Sequence, residues 1–242
     1  MRTVSVRNLR AHKVRLALTV ISVLLGTAFV AGSFVFTDTL KGAFNTIFNS
    51  SDKGVDTRVR PQHDYDPGVP TSLVPQLRNV PGAATVQPII TGTIVLVGPD
   101  GKKIQSNGAP SEGSAWAAQS VNPVPSFASG HAPQRAGEVA VNDGAATLHH
   151  LHTGDRVKVV VANARVVDAT ISGIYKVDFD TGGYIGVRFT PAQAMALFTD
   201  GEHYSAVDVA AAPGVSEQTL TSRIAKILPS GLEAKTGTQV RD

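Results

Sequence analysis

The sequence contains no cysteine, so it forms no disulfide bond and no cysteine-ligated zinc site, and it has no thiol nucleophile. Charged residues make up only 17% of the chain and aromatic residues 6%, whereas hydrophobic residues make up 42%. That balance is typical of an ordered chain, and 242 residues suffice for one large domain or two small ones. The Walker A, Gly-x-Ser-x-Gly and His-Glu-x-x-His motifs are also missing. We therefore expect a protein that is not an enzyme and that binds no cofactor or metal.

Acidic residues are missing from the start of the chain, where the first one is Asp38. Five basic residues precede position 16: Arg2, Arg7, Arg10, Lys13 and Arg15. Subtracting these five from 22 basic residues leaves 17 against 19 acidic ones, so the net charge of +3 belongs to the N-terminal segment alone. A nucleic-acid partner is not expected, because such proteins carry a basic surface on the folded domain.

An uncharged run follows the basic cluster. Residues 16–36 read LALTVISVLLGTAFVAGSFVF, which is 21 residues without a charge. About 20 such residues span the hydrocarbon core of a bilayer as a helix, and the short hydroxyl side chains within it can bond to their own backbone. Basic residues remain on the cytoplasmic side, so Arg7, Arg10, Lys13 and Arg15 predict a cytoplasmic N-terminus in the plasma membrane and an extracytoplasmic segment 37–242.

A cleaved signal peptide is the alternative, since Ala31-Gly-Ser33 offers small residues for cleavage. The apolar run is longer than the roughly 7–15 residues of a signal core. An amphipathic pattern also continues beyond it, at Leu40, Ala43, Phe44, Ile47 and Phe48. We therefore expect a retained anchor whose helix continues to about residue 49.

Two pairs of small residues lie four apart in the apolar run: Ser22 with Gly26, and Ala28 with Gly32. Such pairs allow close packing of a second transmembrane helix. Glycine and alanine are also common in membrane helices without any packing role, so both interpretations stay open.

The remainder alternates strands with short helices. Strands are predicted at 55–60, 84–97, 138–141, 156–161, 165–175, 184–189, 205–210 and 232–235, and helices at 71–80, 142–151, 191–198 and 216–228. Pro99-Asp-Gly101 predicts a hairpin turn with a returning strand at 102–106. Residues 107–137 lack periodicity, so an irregular excursion is expected there, with Trp116 packed on the core. This pattern indicates an α+β fold with mixed sheets.

Several short motifs, in order, carry a resemblance to a family. Residues 129–141 (SGHAPQRAGEVAV), Gly154-Asp155-Arg-Val, Ile171-Ser-Gly-Ile174 and Pro213-Gly-Val-Ser216 resemble successive segments of the MacB-like periplasmic core domain. Residues 7–18 (RNLRAHKVRLAL) are similar to the opening of FtsX-like ABC transporter permeases. The resemblance implies a basic cytoplasmic elbow at 1–15, a transmembrane helix at 16–36 and a MacB-like extracytoplasmic core at 50–242.

The same resemblance implies a function. Such permeases dimerise or pair, sit in the lipid bilayer and work with a separate cytoplasmic ABC ATPase that binds ATP. They move an outer domain and handle lipid, lipoprotein or peptide substrates at the outer face. The family also has three more transmembrane helices after the core, and 37–242 contains no second apolar run, so we expect a fragment or a degenerate relative. His131 stands where the family often has arginine.

Three of the seven histidines lie within four residues of each other: His149, His150 and His152. On a helix at 142–151, Val141, Ala145, Leu148 and Leu151 would share the core face, and His149 would not. The resemblance places His150 where the family has a helix-ending glycine, so an ordinary helix end is the main interpretation. A metal site is the alternative, and it lacks a nearby glutamate or cysteine. Asp178-Phe-Asp180 likewise lacks the spacing of a calcium loop.

Two functional hypotheses follow. The first is the N-terminal part of an FtsX-like ABC permease that transmits ATP-driven motion. The second is a membrane-anchored or secreted binding module that works without transport.

Overall fold

The computed structural model describes residues 13–51, 53–63, 65–117, 119–177 and 182–241, without the side chains of 16, 38–51 and 163. These residues form two compact units, one up to Asn45 and one from Thr46. Arg7, Arg10 and the loop 178–181 lie outside the described residues, as do the side chains of the amphipathic pattern after residue 37.

The first unit is a single helix that continues into the second. Helix α1 spans Lys13–Ser51, 39 residues. Thr19 donates a hydrogen bond from its hydroxyl to the Arg15 carbonyl oxygen at 2.9 Å, and Ser33 donates likewise to Phe29 at 2.9 Å, as the sequence predicted. Within the described residues, one helical stretch, Lys13–Thr37, is long and apolar enough to cross a membrane. Its large apolar side chains are exposed, which is the state that a surrounding bilayer would cover.

The first lobe of the second unit comprises residues 55–89 and 206–241. Its sheet has the antiparallel order β14-β1-β13-β3. The strands are β1 (Thr57–Pro61), β3 (Ala83–Ile89), β13 (Ala206–Ala211) and β14 (Leu232–Thr236). Two helices, α2 (Leu73–Arg78) and α5 (Glu217–Ala225), bury Leu77, Leu220 and Ile224 against this sheet.

The second lobe, residues 90–203, is an eight-stranded mixed sheet inserted between β3 and β13. The strands are β4 (Thr91–Thr93), β5 (Val95–Val97), β6 (Ser111–Ala115), β7 (Phe127–Gly130), β8 (Glu138–Asn142), β9 (Arg156–Val160), β10 (Val166–Tyr175) and β11 (Ile185–Phe189). Their order is β4-β6-β11-β8-β10-β9-β5, with β7 also on β10. The end strands β4 and β5 are separated only by Ile94, whose N–H donates to the Ser111 carbonyl oxygen at 3.1 Å. The sheet therefore curls back on itself around a buried apolar core.

Short elements complete the fold. They are the two-stranded pair β2 (Val69–Pro70) and β12 (His203–Tyr204), and the helices α3 (Asp143–Leu148), α4 (Pro191–Phe198) and α6 (Gly237–Arg241). Helix α6 fastens the end of the second unit to its beginning. The Gly237 N–H donates to the Asp56 carbonyl oxygen at 2.8 Å, and Arg241 Nη1 donates to the Val55 carbonyl oxygen at 3.2 Å.

The α+β fold class is confirmed, and so are both predicted helix starts. The Thr190 hydroxyl accepts a hydrogen bond from the Gln193 N–H at 3.3 Å, and the Ser216 hydroxyl accepts one from the Thr219 N–H at 3.2 Å. Thr190 is followed by Pro191 at the first helical position, where a missing N–H costs nothing.

Two predictions for 97–137 are wrong. The segment 107–137 contains strands β6 and β7, although Trp116 is buried as predicted. Strand β6 has no β-branched or aromatic residue to signal it, and Gly113 is required because a Cβ there would lie 2.4 Å from Cζ of Phe198. The predicted return strand at 102–106 is only an isolated bridge between Val97 and Lys103.

Candidate functional site: the cleft between the two lobes

The histidine cluster is a helix end, as predicted. Helix α3 stops at Leu148, His149 caps it, and His150 adopts the left-handed conformation with φ +54°. The Leu151 N–H then donates to the Ala146 carbonyl oxygen at 2.9 Å, which satisfies an end carbonyl of the helix. The placement of Leu148 in the core was wrong: its residue surface is 51% exposed, because α3 ends before that face turns inward.

The histidine side chains do not converge on one point. His149 Nε2 lies 3.0 Å from the Gln105 carbonyl oxygen, whereas His152 Nδ1 lies 3.8 Å from Asp155 Oδ2. Across the residues that the structure describes, no three His, Asp or Glu side chains are grouped to hold a metal ion.

The small residues of α1 lie in the exposed apolar stretch. A Cβ added at Gly26 or Gly32 would meet nothing within 4 Å, so both positions are open to a neighbour. Packing through Ser22, Gly26, Ala28 and Gly32 remains a prediction. Lys13 and Arg15 belong to the first turn of α1, ahead of the apolar residues.

A large concavity lies between the two lobes. It is an open cleft of about 1230 Å³, lined by β1, β3 and β13 of the first lobe and by β6, β10 and β11 of the second. Apolar side chains such as Ile89, Ile90 and Phe198 alternate with charged ones along its walls. Clefts with this mixed lining are the usual binding places on proteins.

Strands β6 and β11 place three polar side chains on the cleft wall. The strands are parallel, with Glu112 opposite Gly186 and Ser114 opposite Arg188. Because alternate residues of a strand face the same side, Glu112, Ser114 and Arg188 share one face, and all three line the cleft. Asn142, fully buried at the end of β8, accepts a hydrogen bond from the Gly186 N–H at 2.8 Å and so fixes this part of β11.

Arg188 is held by aromatic rings. Its guanidinium carbon lies 5.0 Å from the ring centre of Tyr175 and 5.7 Å from that of Trp116. Its Nε atom is fully buried and has no hydrogen-bond partner within the described part of the chain. A buried donor without a partner is costly, so it marks a place where an acceptor is wanted.

Burial shifts the pKa values of the surrounding carboxyl and phenol groups upward. Burial raises the pKa of Glu112, although the charge of Arg188 opposes this. Burial also raises the pKa of Tyr175 and raises that of Tyr184 further, so both phenols keep their protons and can donate them in hydrogen bonds. The two phenol oxygens lie above Gly186, where an added Cβ would be 2.3 Å from Tyr175 Oη and 3.1 Å from Tyr184 Oη.

The chain passes between the two lobes twice, near Ile89 and near Ser205, at the base of the cleft. The two crossings are bonded to each other: the Ser205 N–H donates to the Ile89 carbonyl oxygen at 2.9 Å, and the Thr91 N–H donates to the Ser205 hydroxyl at 3.2 Å. Paired crossings of this kind provide a place where two lobes can rotate.

A segment of the second lobe, residues 116–126, crosses to the first lobe; we call it the strap. The Val121 N–H donates to Gln87 Oε1 at 2.8 Å, and the Gly54 N–H donates to Asn122 Oδ1 at 2.6 Å. Gly54 has no room for a side chain, because a Cβ there would overlap the Val121 carbonyl oxygen. The strap therefore contacts Gly54, which lies three residues after α1 ends at Ser51.

The profile of the MacB-like periplasmic core domain family matches residues 16–227. The chain belongs to this family. The resemblance seen in its short motifs is thereby confirmed, and the family is one of transporter permease domains rather than of typical enzymes. Together with the apolar helix α1, membership indicates a membrane-anchored protein with an extracytoplasmic MacB-like core.

Solved structures share the MacB-like fold. The periplasmic region of MacB from Actinobacillus actinomycetemcomitans is 11% identical, with a TM-score of 0.57 over 78% of this chain and 93% of that one. The extracellular domain of the noncanonic ABC-type transporter YknZ from Gram-positive bacteria is also 11% identical, with a TM-score of 0.52 over 75% and 99%. No curated protein sequence matches the chain.

The raised pKa of Glu112 predicts a pH dependence of the stability of this MacB-like core. Above the ordinary value of 4.5, the folded state holds the Glu112 proton more tightly than the unfolded state, so stability falls as pH rises toward the raised pKa. A glutamine at this position does not ionise, so the Glu112→Gln variant does not lose stability in this way as pH rises. Relative to the parent, the variant should gain free energy of unfolding between about pH 4 and pH 8, measured by urea unfolding.

Glu217 is the matched control, with the opposite sign. The Thr238 hydroxyl donates to its carboxylate at 2.7 Å, and this hydrogen bond lowers its pKa. Glu217→Gln should therefore lose stability relative to the parent as pH rises toward the ordinary value of 4.5, and the difference should stay constant above it. Equal slopes for the two variants would contradict the assignment of the Glu112 pKa to burial.

The cleft residues of the MacB-like core were not found from the sequence. The signal for Arg188 was a single charge inside the apolar strand Ile185–Phe189, a pattern equally typical of a solvent-facing residue. Glu112 lies in a strand that was not predicted. Pairing of β6 with β11 joins residues about 70 positions apart, and no local pattern encodes that pairing.

Proposed function

We propose that this chain is part of an FtsX/MacB-like ABC permease that transmits the motion of a partner ATPase to its extracytoplasmic domain. The motion would serve export or outer-face handling of a lipid, lipoprotein or peptide. The N-terminal elbow with Arg7, Arg10, Lys13 and Arg15 would lie in the cytoplasm, beside the ATPase. Pairing of two permease subunits would use Ser22, Gly26, Ala28 and Gly32.

The observation that carries this proposal is the uninterrupted helix from Lys13 to Ser51. Helix α1 extends 14 residues beyond the candidate span that ends at Thr37. It ends three residues before Gly54, which contacts the strap of the second lobe, while the following strand β1 belongs to the first lobe. A displacement of the helix end would thus act on both sides of the cleft.

Co-purification is the first test. The gene in its full natural reading frame is expressed with a tag, extracted in mild detergent and identified with its companions by mass spectrometry. A stoichiometric ABC ATPase is expected. A protein that purifies without any ATPase would contradict the transporter proposal and leave a tethered binding module.

A flexible insert tests the transmission itself. We expect a Gly-Ser insert between Asn49 and Ser50 to retain the ATPase partner but abolish the ATP-dependent change in distance between the lobes. Because the chain has no cysteine, Gln76→Cys and Asp168→Cys place one spin label on each lobe for electron-resonance distance measurement. Both positions are exposed.

The matched control is the same insert in the exposed turn between Gly101 and Lys102, which should leave the ATP-dependent change intact. An unchanged response with the insert at residue 49 would show that α1 does not transmit the motion.

A further inference from the structure

We propose that the cleft binds a ligand with a single carboxylate attached to an apolar body, and that Arg188 receives the carboxylate. This inference concerns binding alone and does not require ATP-driven motion, so it can fail or hold independently of the transporter proposal.

The other basic side chains that line the cleft already have an acidic partner or are exposed to solvent. Among the basic side chains that line it, Arg58 pairs with Asp208 at 2.6 Å and Arg60 with Glu233 at 2.8 Å, and His203 Nδ1 lies 2.7 Å from Asp200 Oδ2. Lys53 and Lys176 are exposed to solvent, where water satisfies them.

Arg188 differs from the other cations. It is partly exposed to the cleft, its Nε is buried without an acceptor, and no ion pair joins it to a carboxylate in the described residues. Tyr175 is already a hydrogen-bond partner of the guanidinium and Glu112 contributes a favourable charge, so a bound carboxylate would add a direct ion pair to these interactions.

The donors around Arg188 are arranged for an oxyanion. Tyr175 and Tyr184 place their hydroxyls above Gly186, two positions before Arg188 on the same face of β11. Ser114 lies directly opposite Arg188 on β6 and also lines the cleft. The planar guanidinium group carries several N–H donors and matches the two oxygens of a carboxylate.

Glu112 limits the charge of the ligand. It shares the face of Arg188 and lines the same cleft. A second negative group is tolerated beside Glu112 only if Glu112 takes up a proton. The Glu112 carboxylate would repel a doubly charged phosphate more strongly than a singly charged carboxylate. The site therefore favours a monoanion, and removal of the Glu112 charge should strengthen binding.

The volume and the apolar side chains of the cleft determine what kind of group can accompany the carboxylate. The cleft volume of about 1230 Å³ is far larger than a small anion needs. Pro88, Ile89, Ile90, Ala115 and Phe198 supply apolar surface along it. Burial of an alkyl chain against these side chains favours binding in proportion to the apolar area removed from water.

The test uses the full chain in nanodiscs of zwitterionic lipid, with octanoate as the probe. Trp116 is the only tryptophan of the chain and lies 5.7 Å from the Arg188 guanidinium, so its fluorescence reports binding. A saturable change is expected. Arg188→Met should weaken octanoate binding about tenfold or more, the effect of losing a hydrogen-bonded charge pair.

Three comparisons make the result specific. Arg60→Gln, which removes a cation of the same cleft that is already paired, should leave binding unchanged. Glu112→Gln should strengthen binding. Arg188→Lys keeps the charge but not the paired nitrogens, so it should bind with intermediate affinity, and it serves in place of Arg188→Met if that variant does not fold by circular dichroism.

The proposal is overturned by any of four results: no saturable binding of octanoate, equal weakening by Arg60→Gln and Arg188→Met, equal affinity for uncharged octanamide, or equal affinity for acetate. The octanamide result would remove the role of the carboxylate, and the acetate result would remove that of the apolar body. Co-purification of an ATPase has no bearing on any of them, so the two proposals are judged separately.

Discussion

Replacing Asp208 with alanine is expected to lower the free energy of unfolding by about 3–5 kcal/mol. Asp208 lies in the middle of β13 with only 3% of its surface exposed, and it accepts hydrogen bonds from Arg58 Nε at 2.6 Å and Nη2 at 2.8 Å. Loss of the carboxylate would remove both of these hydrogen bonds from a guanidinium whose side chain is only 23% exposed. Urea unfolding of the full chain in detergent, followed by circular dichroism, measures the change.

The ion pair of Arg60 with Glu233 is the matched control for Asp208. It also joins two strands of the first lobe, at 2.8 Å, but its side chains are 45% and 30% exposed. Glu233→Ala should therefore cost at most about 1 kcal/mol. The double variant Arg58→Met with Asp208→Leu should recover most of the loss, since an apolar pair needs no compensation. Equal losses for Asp208→Ala and Glu233→Ala would contradict the argument from burial.

The second large effect is expected at Trp116. Its ring stacks on Phe127 with centroids 4.9 Å apart and meets Tyr175 edge-on at 6.0 Å. This aromatic cluster holds one end of the strap, and two of its rings contact the guanidinium of Arg188. Trp116→Ala removes its largest side chain, so we expect a loss of about 3–5 kcal/mol in the free energy of unfolding.

Trp116→Phe is the control that keeps an aromatic ring, and it should lose clearly less than the alanine variant. Circular dichroism replaces tryptophan fluorescence here, because both variants lack the fluorophore. If Trp116→Ala unfolds at the same urea concentration as the parent, the ring does not hold the strap to the second lobe.

Local signals in the sequence sufficed wherever a structural element is determined by its own residues. Thr190 and Ser216 mark helix starts because a side-chain oxygen there accepts a free backbone N–H. The hairpin of β9 and β10 is encoded by alternation on both sides of a short turn at Ala162–Ala164. The end of α3 at His150 was expected from the resemblance to the family, and the left-handed backbone of His150 agrees with it.

The candidate site could not be predicted because it depends on distant partners. Strand β6 exists since β4 and β11 pair with it and Phe198 covers Gly113, and none of this is visible in Ser-Glu-Gly-Ser-Ala. Likewise, the first lobe is closed by β1 pairing with β13 and β14, about 150 to 180 residues later. The division into two lobes, and therefore the cleft, follows only from these pairings.

The bond between Gly237 and Asp56 has a consequence for how such a domain evolves. Asp56 and Gly237 lie near the two ends of the first lobe along the chain and are neighbours in space, with Gly237 too close to the Val55 carbonyl oxygen to carry a side chain. A module with adjacent termini can be transplanted between host chains without altering the spacing of the segments on either side. Its interior is then free to diverge while its architecture persists, which agrees with a shared fold at 11% identity.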